Sequence, residues 1–470
     1  MRSIYFSDDH DLFRQSVRRF VEAEVAPHAD AWEAAGRIPR EIFVRMGDLG
    51  FLGILFPEAY GGTEADIFYA AAFCEEITRS RMGGFCAAVT VQQFMATQHI
   101  FRAGSEELKL RYLSPSIAGR KVGALAVTEP DTGSDVAAIR TSAIRDNDAY
   151  IVNGAKTWIT NGADGDFYTV AVKTDRDAGT AGISLIVVDA DTPGVSVGKR
   201  LKKLGLHSSD TAELRFQDVR VPLANLVGSE NMGFYYIMEA FQLERLVGAF
   251  LAVGSADLCI EETLAYMADR RAFGRSLDRF QVLRHRIAQL ASELEAARQL
   301  VYHTAWLHER GEQAIKESSM AKLVATELSK RVADECLQCF GGYGFSEEYP
   351  MARFYRDARA GTILAGTSEI MREIIARFMF DGEAPPPVER REPVSAPVRS
   401  EPTTAAEPQP AAPPPATDSN AVPLAVDALM RSLPGRLRAD AVARGRPGRR
   451  QPAGRDAAGE FVASEQGRPS

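Results

Sequence analysis

The stretch that decides the fold is FYYIMEAFQLERLVGAFLAVGSADLCIEETLAYMADRR, residues 234–271. Apolar residues recur through it every three or four positions, which is the period of an α-helix with a buried face. Two more long helical patterns follow, DRFQVLRHRIAQLASELEAARQLVYHTAWLHERG at 278–311 and SMAKLVATELSKRVADECLQCFGG at 319–342. Helices of this length pack side by side, so residues 233–382 are predicted to form a helical bundle.

One carboxylate interrupts the apolar face of the first long helix. Helical spacing puts Glu244 on one face with Ala240, Phe241, Val247, Gly248 and Leu251. Burying an ionised carboxylate is costly, so such a group either finds a charged partner or has its pKa raised toward the range of a general base. Arg245 points about 100° away on an ideal helix and need not neutralise Glu244. The pattern alone leaves a paired and a catalytic glutamate equally open.

The first 121 residues are predicted to be mostly helical. Ser7, followed by two acids, is an N-cap candidate. After it, apolar side chains recur at helical spacing at Phe13, Val17, Phe20 and Val25. Pro39 and Gly50 mark the start and end of a second helix. Further helical patterns are DIFYAAAFCEEITRS and GFCAAVTVQQFMATQHIFRAG.

Between residues 122 and 232 the sequence pattern changes from helical periodicity to short β-strand-like runs. Short β-branched and aromatic runs are separated there by Gly, Asn, Asp and Pro: VGALAVTEP, AYIVNGAKTWITNG, FYTVAVKT, GISLIVVDA and AELRFQDVRVP. This segment is predicted to be an all-β domain.

Residues 383–470 are rich in Pro and Ala and cannot bury enough apolar surface to order themselves. We predict a linker followed by a low-complexity tail. Within it, AVPLAVDALMRSLPGRL could form one amphipathic helix, and its opening faintly resembles that of sterol-carrier-type lipid-binding domains. The composition favours the tail over a truncated appended domain.

Bulk properties exclude several classes of protein. A formal net charge of -8 disfavours binding to nucleic acid or to an anionic membrane. Five cysteines, an odd number, indicate reduced thiols and a reducing compartment. The acidic start MRSIYFSDDHDLFRQSVRRF is unlike a secretory or transit peptide, and no apolar run approaches the ~20 residues that cross a bilayer. We expect a cytoplasmic protein with no nucleic-acid or membrane partner.

Two motifs in the β-rich segment suit a polar ligand. TEPDTGSD (128–135) follows an apolar run with small residues and turn formers, so its backbone N–H groups can approach an anion closely. NGAKTWITNG (153–162) places Trp158 between two predicted Asn-Gly turns. Each has an ordinary alternative: a surface loop for the first, and a hairpin with a packed indole for the second.

Two motifs in the helical part are also distinctive. DRRAFGRSLDRFQ (269–281) clusters arginines that suit either a diphosphate or a surface salt-bridge network. CLQCFGGYGFSEEYP (336–350) contains a CxxC without a second Cys/His pair at zinc spacing, so no metal is predicted. Its glycines allow close approach of a cofactor or partner. No GxGxxG or GxxxxGK[ST] motif supports a Rossmann site or a P-loop.

Taken in order, ALAVTEPDTGSD, NGAKTWITNG, DRRAFGRSLDRFQ, LQCFGGYGFSEEYP and LAGTSEIMREIIAR resemble the motifs of the acyl-CoA dehydrogenase family over residues 1 to about 382. The resemblance implies an N-terminal α-helical domain (1–121), a middle β-barrel or sandwich domain (122–232) and a C-terminal four-helix bundle (233–382). It also implies FAD as the cofactor and α,β-dehydrogenation of a fatty or branched acyl-CoA to a trans-2-enoyl-CoA. Electron-transferring flavoprotein would then take the electrons.

The resemblance also implies which residues bind. Within one subunit, FAD would be held by Leu125, Val127, Thr128, Gly133, Ser134, Trp158, Ile159 and Thr160. From a neighbouring subunit it would be reached by Arg270, Phe273, Gln281, Gln338 and Gly342. Near the last motif it would meet Thr367 and Glu369, and the substrate would contact Ser134, Phe241, Arg245, Ala365 and Gly366. A homo-oligomer, dimer or tetramer, is therefore expected.

The catalytic base departs from the commonest family pattern. Many members carry a glutamate immediately before the Gly-Thr of the last motif, where this chain has Ala365. A subset resembling the long-chain and isovaleryl enzymes places it on an earlier helix in a LERL setting, which here gives Glu244. A ribityl hydroxyl of FAD and the backbone N–H of Ala365 would then hold the enolate oxygen. Two alternatives of the same fold stay open: an acyl-CoA-binding flavoprotein without dehydrogenase activity, and a flavin oxidase.

Overall fold

The computed structural model of the protein describes residues 3–381, so the tail predicted at 383–470 lies outside the described residues. Short helices make up the N-terminal part: α1 (Asp8–Phe20), α2 (Ala29–Ala35), α3 (Arg40–Asp48), α4 (Ile67–Ile77), α5 (Gly83–Val91), α6 (Thr97–Ala103), α7 (Glu106–Leu108) and α8 (Ser114–Ile117). Five-residue π-helical turns extend or join several of them, at Val21–Val25, Gln92–Ala96 and Lys109–Leu113.

Local caps explain where the first helices begin. The Ser7 side chain accepts a hydrogen bond from the backbone N–H of His10, which confirms the predicted N-cap of α1. Asp66 caps α4 in the same way, accepting from the backbone N–H of Phe68. Pro39 stands immediately before α3, and Gly50 adopts a φ of 75° in the turn that follows this helix. The sequence signals for the ends of α3 are therefore correct.

Strands of the middle part form one sheet. They are β1 (Gly123–Ala126), β2 (Ser142–Asp146), β3 (Ala149–Thr160), β4 (Phe167–Lys173), β5 (Ile183–Asp189), β6 (Val195–Arg200), β7 (Thr211–Pro222) and β8 (Leu226–Val227). The strand order is β6-β7-β3-β2-β4-β5-β8, and β1 pairs in parallel with β4. The long antiparallel β3–β7 pair is interrupted by two register shifts.

The sequence interpretation of this sheet needs two corrections. β2, β6 and β8 were not predicted, because β2 ends in charged residues, β6 is a polar, exposed edge strand and β8 has only two residues. The turn predicted at Asn153-Gly154 is wrong, since both residues lie inside β3 at the first register shift. A Cβ at Gly154 would lie 2.4 Å from the Thr141 hydroxyl, so glycine serves close strand packing there. Asn161, after β3, does adopt the left-handed φ of 60° that a turn uses.

Long helices dominate the C-terminal part: α9 (Gly233–Asp269), α10 (Gln281–Glu309), α11 (Ile315–Phe340), α12 (Pro350–Gly361) and α13 (Ser368–Phe380). A two-stranded hairpin, β9 (Arg271–Ala272) and β10 (Arg275–Ser276), joins α9 to α10. One hydrophobic core runs through the N-terminal helices and α9 to α12, while the sheet has a core of its own. The predicted order of helical, β and helical domains is confirmed. Within residues 3–381, no helix has the length and apolarity needed to span a membrane.

A buried ion pair ties β3 to the loop after β1. Lys156 is 0% exposed, and its ammonium lies 2.8 Å from the Glu129 carboxylate. Glu129 also accepts hydrogen bonds from the backbone N–H groups of Arg140 and Thr141. Burial lowers the pKa of Lys156 to about 8, against the opposing effect of Glu129. Removing one partner would leave the other charge buried and uncompensated.

We therefore expect Lys156→Met to lower the free energy of unfolding by about 3 kcal/mol. Urea denaturation followed by circular dichroism measures it, with Lys199→Met on the exposed strand β6 as the matched control. An equal, small effect of both substitutions would show that the pair does not stabilise the loop.

Candidate functional site

The two β-domain motifs meet at the end of β3. The Thr157 backbone N–H donates to the Thr128 carbonyl at 3.0 Å, and the Lys156 ammonium donates to the Val127 carbonyl at 2.9 Å. The second register shift of β3 falls between Lys156 and Ile159. It turns the Trp158 indole outward, with a φ of 60° and 58% of the side chain exposed. The alternative of a packed indole is therefore wrong.

The loop beside Trp158 leaves room for a ligand. Gly133 and Ser134 are exposed, and no heavy atom lies within 4 Å of a Cβ built at Gly133. Leu125 lies on β1, while Ile159 and Thr160 form the buried and half-buried end of β3. An open loop with free backbone next to an exposed indole suits a flat aromatic ring with a polar arm. These residues fit a flavin nucleotide.

A second predicted group forms a separate groove on the long helices. Arg270, Gln338 and Gly342 line this groove, which has a volume of about 530 Å³, together with the aromatic residues Tyr266, Phe340 and Tyr343. The Arg270 guanidinium lies 5.4 Å from the centroid of the Tyr343 ring. A cation beside aromatic rings suits a phosphate attached to a nucleobase.

The hairpin after α9 presents the remaining members of that group. Phe273 is 95% exposed and sits with Gly274 at the two central positions of the β9–β10 turn, where both residues have positive φ. Gln281, the first residue of α10, is exposed as well. An aromatic side chain held fully in solvent at a strained position is available to a ligand or to another copy of the chain.

The predicted base is buried without a charged partner in contact. Glu244 is 3% exposed, and its Oε1 atom has no hydrogen-bond partner among the described residues. Burial raises the pKa of Glu244 to about 8, although the positive charge of Arg245 acts in the opposite direction. The Arg245 guanidinium instead contacts the Ser319 hydroxyl at 3.5 Å and lies over the Phe241 ring at 5.7 Å. The alternative of a glutamate paired with a nearby arginine is not supported.

A lysine of α11 holds the turn that precedes α13. Ala365 and Gly366 have φ of 52° and 92°, and Thr367 caps α13 by accepting from the backbone N–H of Ile370. The buried Lys322 ammonium donates to the Gly366 carbonyl at 2.6 Å. Burial, aided by the charge of Arg245, lowers the pKa of Lys322 to about 8.

α11 therefore connects the base to this turn. Ser319, which contacts Arg245, and Lys322, which holds Gly366, are one helical turn apart on α11. Glu369 is exposed in the first turn of α13, where a carboxylate is favourable to the helix dipole. Through this serine and this lysine, α11 contacts both Arg245 of α9 and the segment that carries Ala365 and Gly366.

Backbone strain marks three of the predicted site residues. Trp158, Phe273 and Ala365 are non-glycine residues with φ of 60°, 51° and 52°. Side chains seldom occupy this left-handed region, and such strain tends to cluster at functional sites. One such residue lies in each of the three predicted binding segments.

Sequence reasoning missed several residues of the site. His99 on α6 has its Nε2 atom 4.0 Å from Glu244 Oε1, and Lys322 supports the turn. Lys156 and Glu129 fix the loop after β1. Lys322 stands inside an apolar helical pattern, as Glu244 does, and the same criterion could have found it. For His99 the partner is too far along the chain for any local pattern to identify.

The cysteines form neither a disulfide nor a metal site within residues 3–381, although Cys339 lines the groove at Arg270. All five are free and buried, including Cys336 and Cys339 of the CxxC motif. In residues 3–381, no cluster of three or more His, Cys, Asp or Glu side chains could hold a metal ion.

An exposed indole beside an open loop, a nucleotide-sized groove and a buried carboxylate are together the parts of a flavin-dependent oxidoreductase with an acid–base residue.

Comparison with known proteins agrees with this class. Family models for the acyl-CoA dehydrogenase N-terminal, middle and C-terminal domains match residues 7–120, 124–219 and 231–380. The mitochondrial long-chain specific acyl-CoA dehydrogenase of Sus scrofa is 41% identical over 374 residues, covering 79% of this chain and 86% of the relative.

Two solved structures show the same fold. An acyl-CoA dehydrogenase from Geobacillus kaustophilus superposes with a TM-score of 0.78 at 44% identity, covering 81% of this chain and all of that one. A chain in a structure described as the electron transferring flavoprotein of Acidaminococcus fermentans has a TM-score of 0.78 at 36% identity, with coverage of 81% and 100%.

The chain belongs to the acyl-CoA dehydrogenase family. It is accordingly an FAD flavoprotein and an oxidoreductase that acts on the CH–CH groups of acyl-CoA. The residues around Trp158 and Gly133 fit that cofactor, because they offer an aromatic surface and unobstructed backbone.

We expect Lys322→Met to loosen the turn at residues 362–366 without unfolding the protein, because the Gly366 carbonyl would lose its donor while the methionine keeps most of the buried stem. Hydrogen–deuterium exchange measures this as faster exchange of the Ser368 amide, which donates to the Thr362 carbonyl across the turn. Lys316→Met, at the half-exposed start of α11, is the control. Unchanged protection in Lys322→Met would show that the contact does not hold the turn.

Proposed function

We propose that this protein dehydrogenates a long or branched fatty acyl-CoA at the α,β position to a trans-2-enoyl-CoA, with Glu244 as the base. The observation that carries the proposal is the buried Glu244 carboxyl, whose Oε1 atom has no hydrogen-bond partner among the described residues and whose pKa is raised by burial to about 8. Ala365 cannot serve as a base, because it offers only a methyl group at the position where many relatives carry the glutamate.

Each residue has a defined task in this proposal. The ionised Glu244 carboxylate takes the α-proton, so the C–H bond breaks and an O–H bond forms on Glu244. The Ala365 backbone N–H donates to the thioester oxygen, where negative charge develops. Bound FAD supplies the acceptor for the hydride that leaves the β-carbon. Lys322 keeps the Ala365–Gly366 segment in place, so the donor is oriented before the reaction starts.

The flavin site of the proposal combines two sets of residues. Leu125, Val127, Thr128, Gly133, Ser134, Trp158, Ile159, Thr160, Thr367 and Glu369 contact FAD from the same subunit, and Ser134 and Gly366 also contact the substrate. Arg270, Phe273, Gln281, Gln338 and Gly342 contact the FAD of a neighbouring copy. Support comes from the open loop, the exposed indole and the nucleotide-sized groove.

The geometry of α9 supports a shared flavin. Glu244 lies on α9, one continuous helix that spans Gly233–Asp269, and Arg270 directly follows the last residue of this helix. The two residues are 26 positions apart. At 1.5 Å per residue this places them about 39 Å apart, farther than one extended flavin nucleotide reaches. Arg270 therefore serves a different flavin from the one beside Glu244, and a homo-oligomer is part of the proposal.

The electron acceptor is proposed to be an electron-transferring flavoprotein. The chain shares 36% identity and its fold with a chain in the solved structure described under that name. The similarity to the long-chain specific relative supports a long acyl group in the same way.

We expect Glu244→Gln to lower kcat by about 100-fold or more while FAD stays bound, because the amide cannot accept a proton at neutral pH. Anaerobic reduction of an artificial dye with a series of acyl-CoA substrates measures the rate, and the flavin absorbance measures the occupancy. Glu239→Gln is the matched control, since Glu239 lies on the same helix, half exposed and paired with Arg102.

Near-normal turnover of Glu244→Gln would overturn the assignment of the base. Substrate binding without flavin bleaching in the unaltered protein would favour the non-catalytic alternative. Turnover that requires oxygen would favour the oxidase.

The acyl-chain length is proposed to depend on space next to the base. Gly248 is one turn after Glu244 on the same face of α9, and no heavy atom lies within 4 Å of a Cβ built there. Gly248 is half-buried, so this space is open, and open space next to a buried base leaves room for substrate.

We expect Gly248→Leu to lower kcat/KM for a long or branched acyl-CoA by about tenfold or more, and for butyryl-CoA much less, because leucine fills that room. Gly248→Ala is the control, since one methyl group raises helix propensity and occupies little of the space. Equal losses for short and long substrates would place the acyl chain elsewhere.

A further inference from the structure

Two buried polar atoms face each other across the contact of α6 with α9. His99 Nε2 and Glu244 Oε1 are 4.0 Å apart, and their side chains are 1% and 4% exposed. Neither atom has a hydrogen-bond partner among the described residues. Buried polar atoms are almost always hydrogen-bonded, so a facing pair of exceptions calls for an explanation.

The pair is not a salt bridge. Burial, aided by the charge of Arg102, lowers the pKa of His99 to about 4, so its imidazole is neutral at neutral pH. A neutral imidazole carries one N–H donor and one acceptor nitrogen. His99 can therefore donate to a carboxylate without bringing a positive charge to it.

The charged groups around the pair hold other partners. On α6, Arg102 bonds Glu239 of α9 at 2.9 Å. On α9, Arg245 contacts Ser319, and on α11 Lys322 donates to the Gly366 carbonyl. Arg245 favours the ionised form of Glu244 through its charge, and its Nε atom has no hydrogen-bond partner among the described residues. His99 is the side chain whose polar nitrogen directly faces Glu244 Oε1, at 4.0 Å.

We propose that His99 is the positioning residue of the base: its Nε2–H donates a hydrogen bond to the Glu244 carboxylate when that group is ionised. The inference rests on Glu244 being the base, as proposed above. The bond fixes the orientation of the carboxylate and lowers the cost of its ionisation in an apolar site. No proton leaves His99, so the α-proton of the substrate ends on Glu244.

The structure around His99 permits its Nε2 atom to move closer to Glu244 Oε1. Shortening 4.0 Å to a hydrogen bond of about 2.9 Å needs a movement of about 1 Å. The π-helical turn Gln92–Ala96 directly precedes α6, and such turns recur at functional sites. The Thr97 hydroxyl spans this turn by donating to the Gln92 and Gln93 carbonyls.

The test compares His99→Leu, which has no donor, with His99→Gln, which keeps one. In the FAD-loaded protein, infrared difference spectroscopy follows the carbonyl band of the protonated Glu244 carboxyl as a function of pH, and Glu244→Gln assigns the band. A lost hydrogen bond to a charged acceptor raises the titration midpoint by about one to two pH units in His99→Leu. His99→Gln moves it much less, and His285→Leu, exposed on α10, leaves it unchanged.

The pH dependence of kcat/KM gives a second measurement. kcat/KM rises with pH as Glu244 ionises. The midpoint of this rise is therefore expected to shift to higher pH in His99→Leu, by the same amount as the infrared midpoint. An unchanged infrared midpoint, or equal shifts in the leucine and glutamine variants, would overturn the role of His99. A shifted midpoint with an unshifted rate profile would instead overturn Glu244 as the base. If His99→Leu loses its flavin, His99→Met replaces it in the comparison with His99→Gln.

Discussion

The burial of one carboxyl group within α9 is the constraint on which the site depends. Glu244 is fixed on the helix that lies in the core shared by the N-terminal and C-terminal helical domains. Its Oε1 atom is buried by that packing and has no hydrogen-bond partner within residues 3–381. A group that is costly to ionise and cannot move away is well suited to take a proton from a weakly acidic carbon.

The proposed chemistry is divided between two segments that α11 connects. α9 supplies the proton acceptor, while the turn before α13 supplies a backbone donor in a strained conformation at Ala365. A backbone N–H does not depend on its own side chain, so the donor can persist where the side chain has been reduced to a methyl group. The buried Lys322 offsets part of that strain by holding the next carbonyl.

The sequence predicted those parts of the structure that depend on local patterns. The long helices and most strands follow from apolar periodicity, and the burial of Glu244 follows from its place in an apolar stripe. The Asn153-Gly154 turn was wrong because a glycine that permits close strand packing leaves the same signature as one that permits a turn. The His99–Glu244 and Lys322–Gly366 contacts join segments distant in sequence, which periodicity cannot pair.

The separation of Glu244 from Arg270 along α9 has a thermodynamic consequence. In the proposed homo-oligomer one copy supplies the ring site and another the nucleotide groove, so FAD binding and subunit association are linked equilibria. By reciprocity, the free energy by which bound FAD stabilises the assembly equals the free energy by which assembly stabilises FAD binding. Dilution would then release flavin from an intact polypeptide, and abundant flavin would hold the assembly together at low protein concentration.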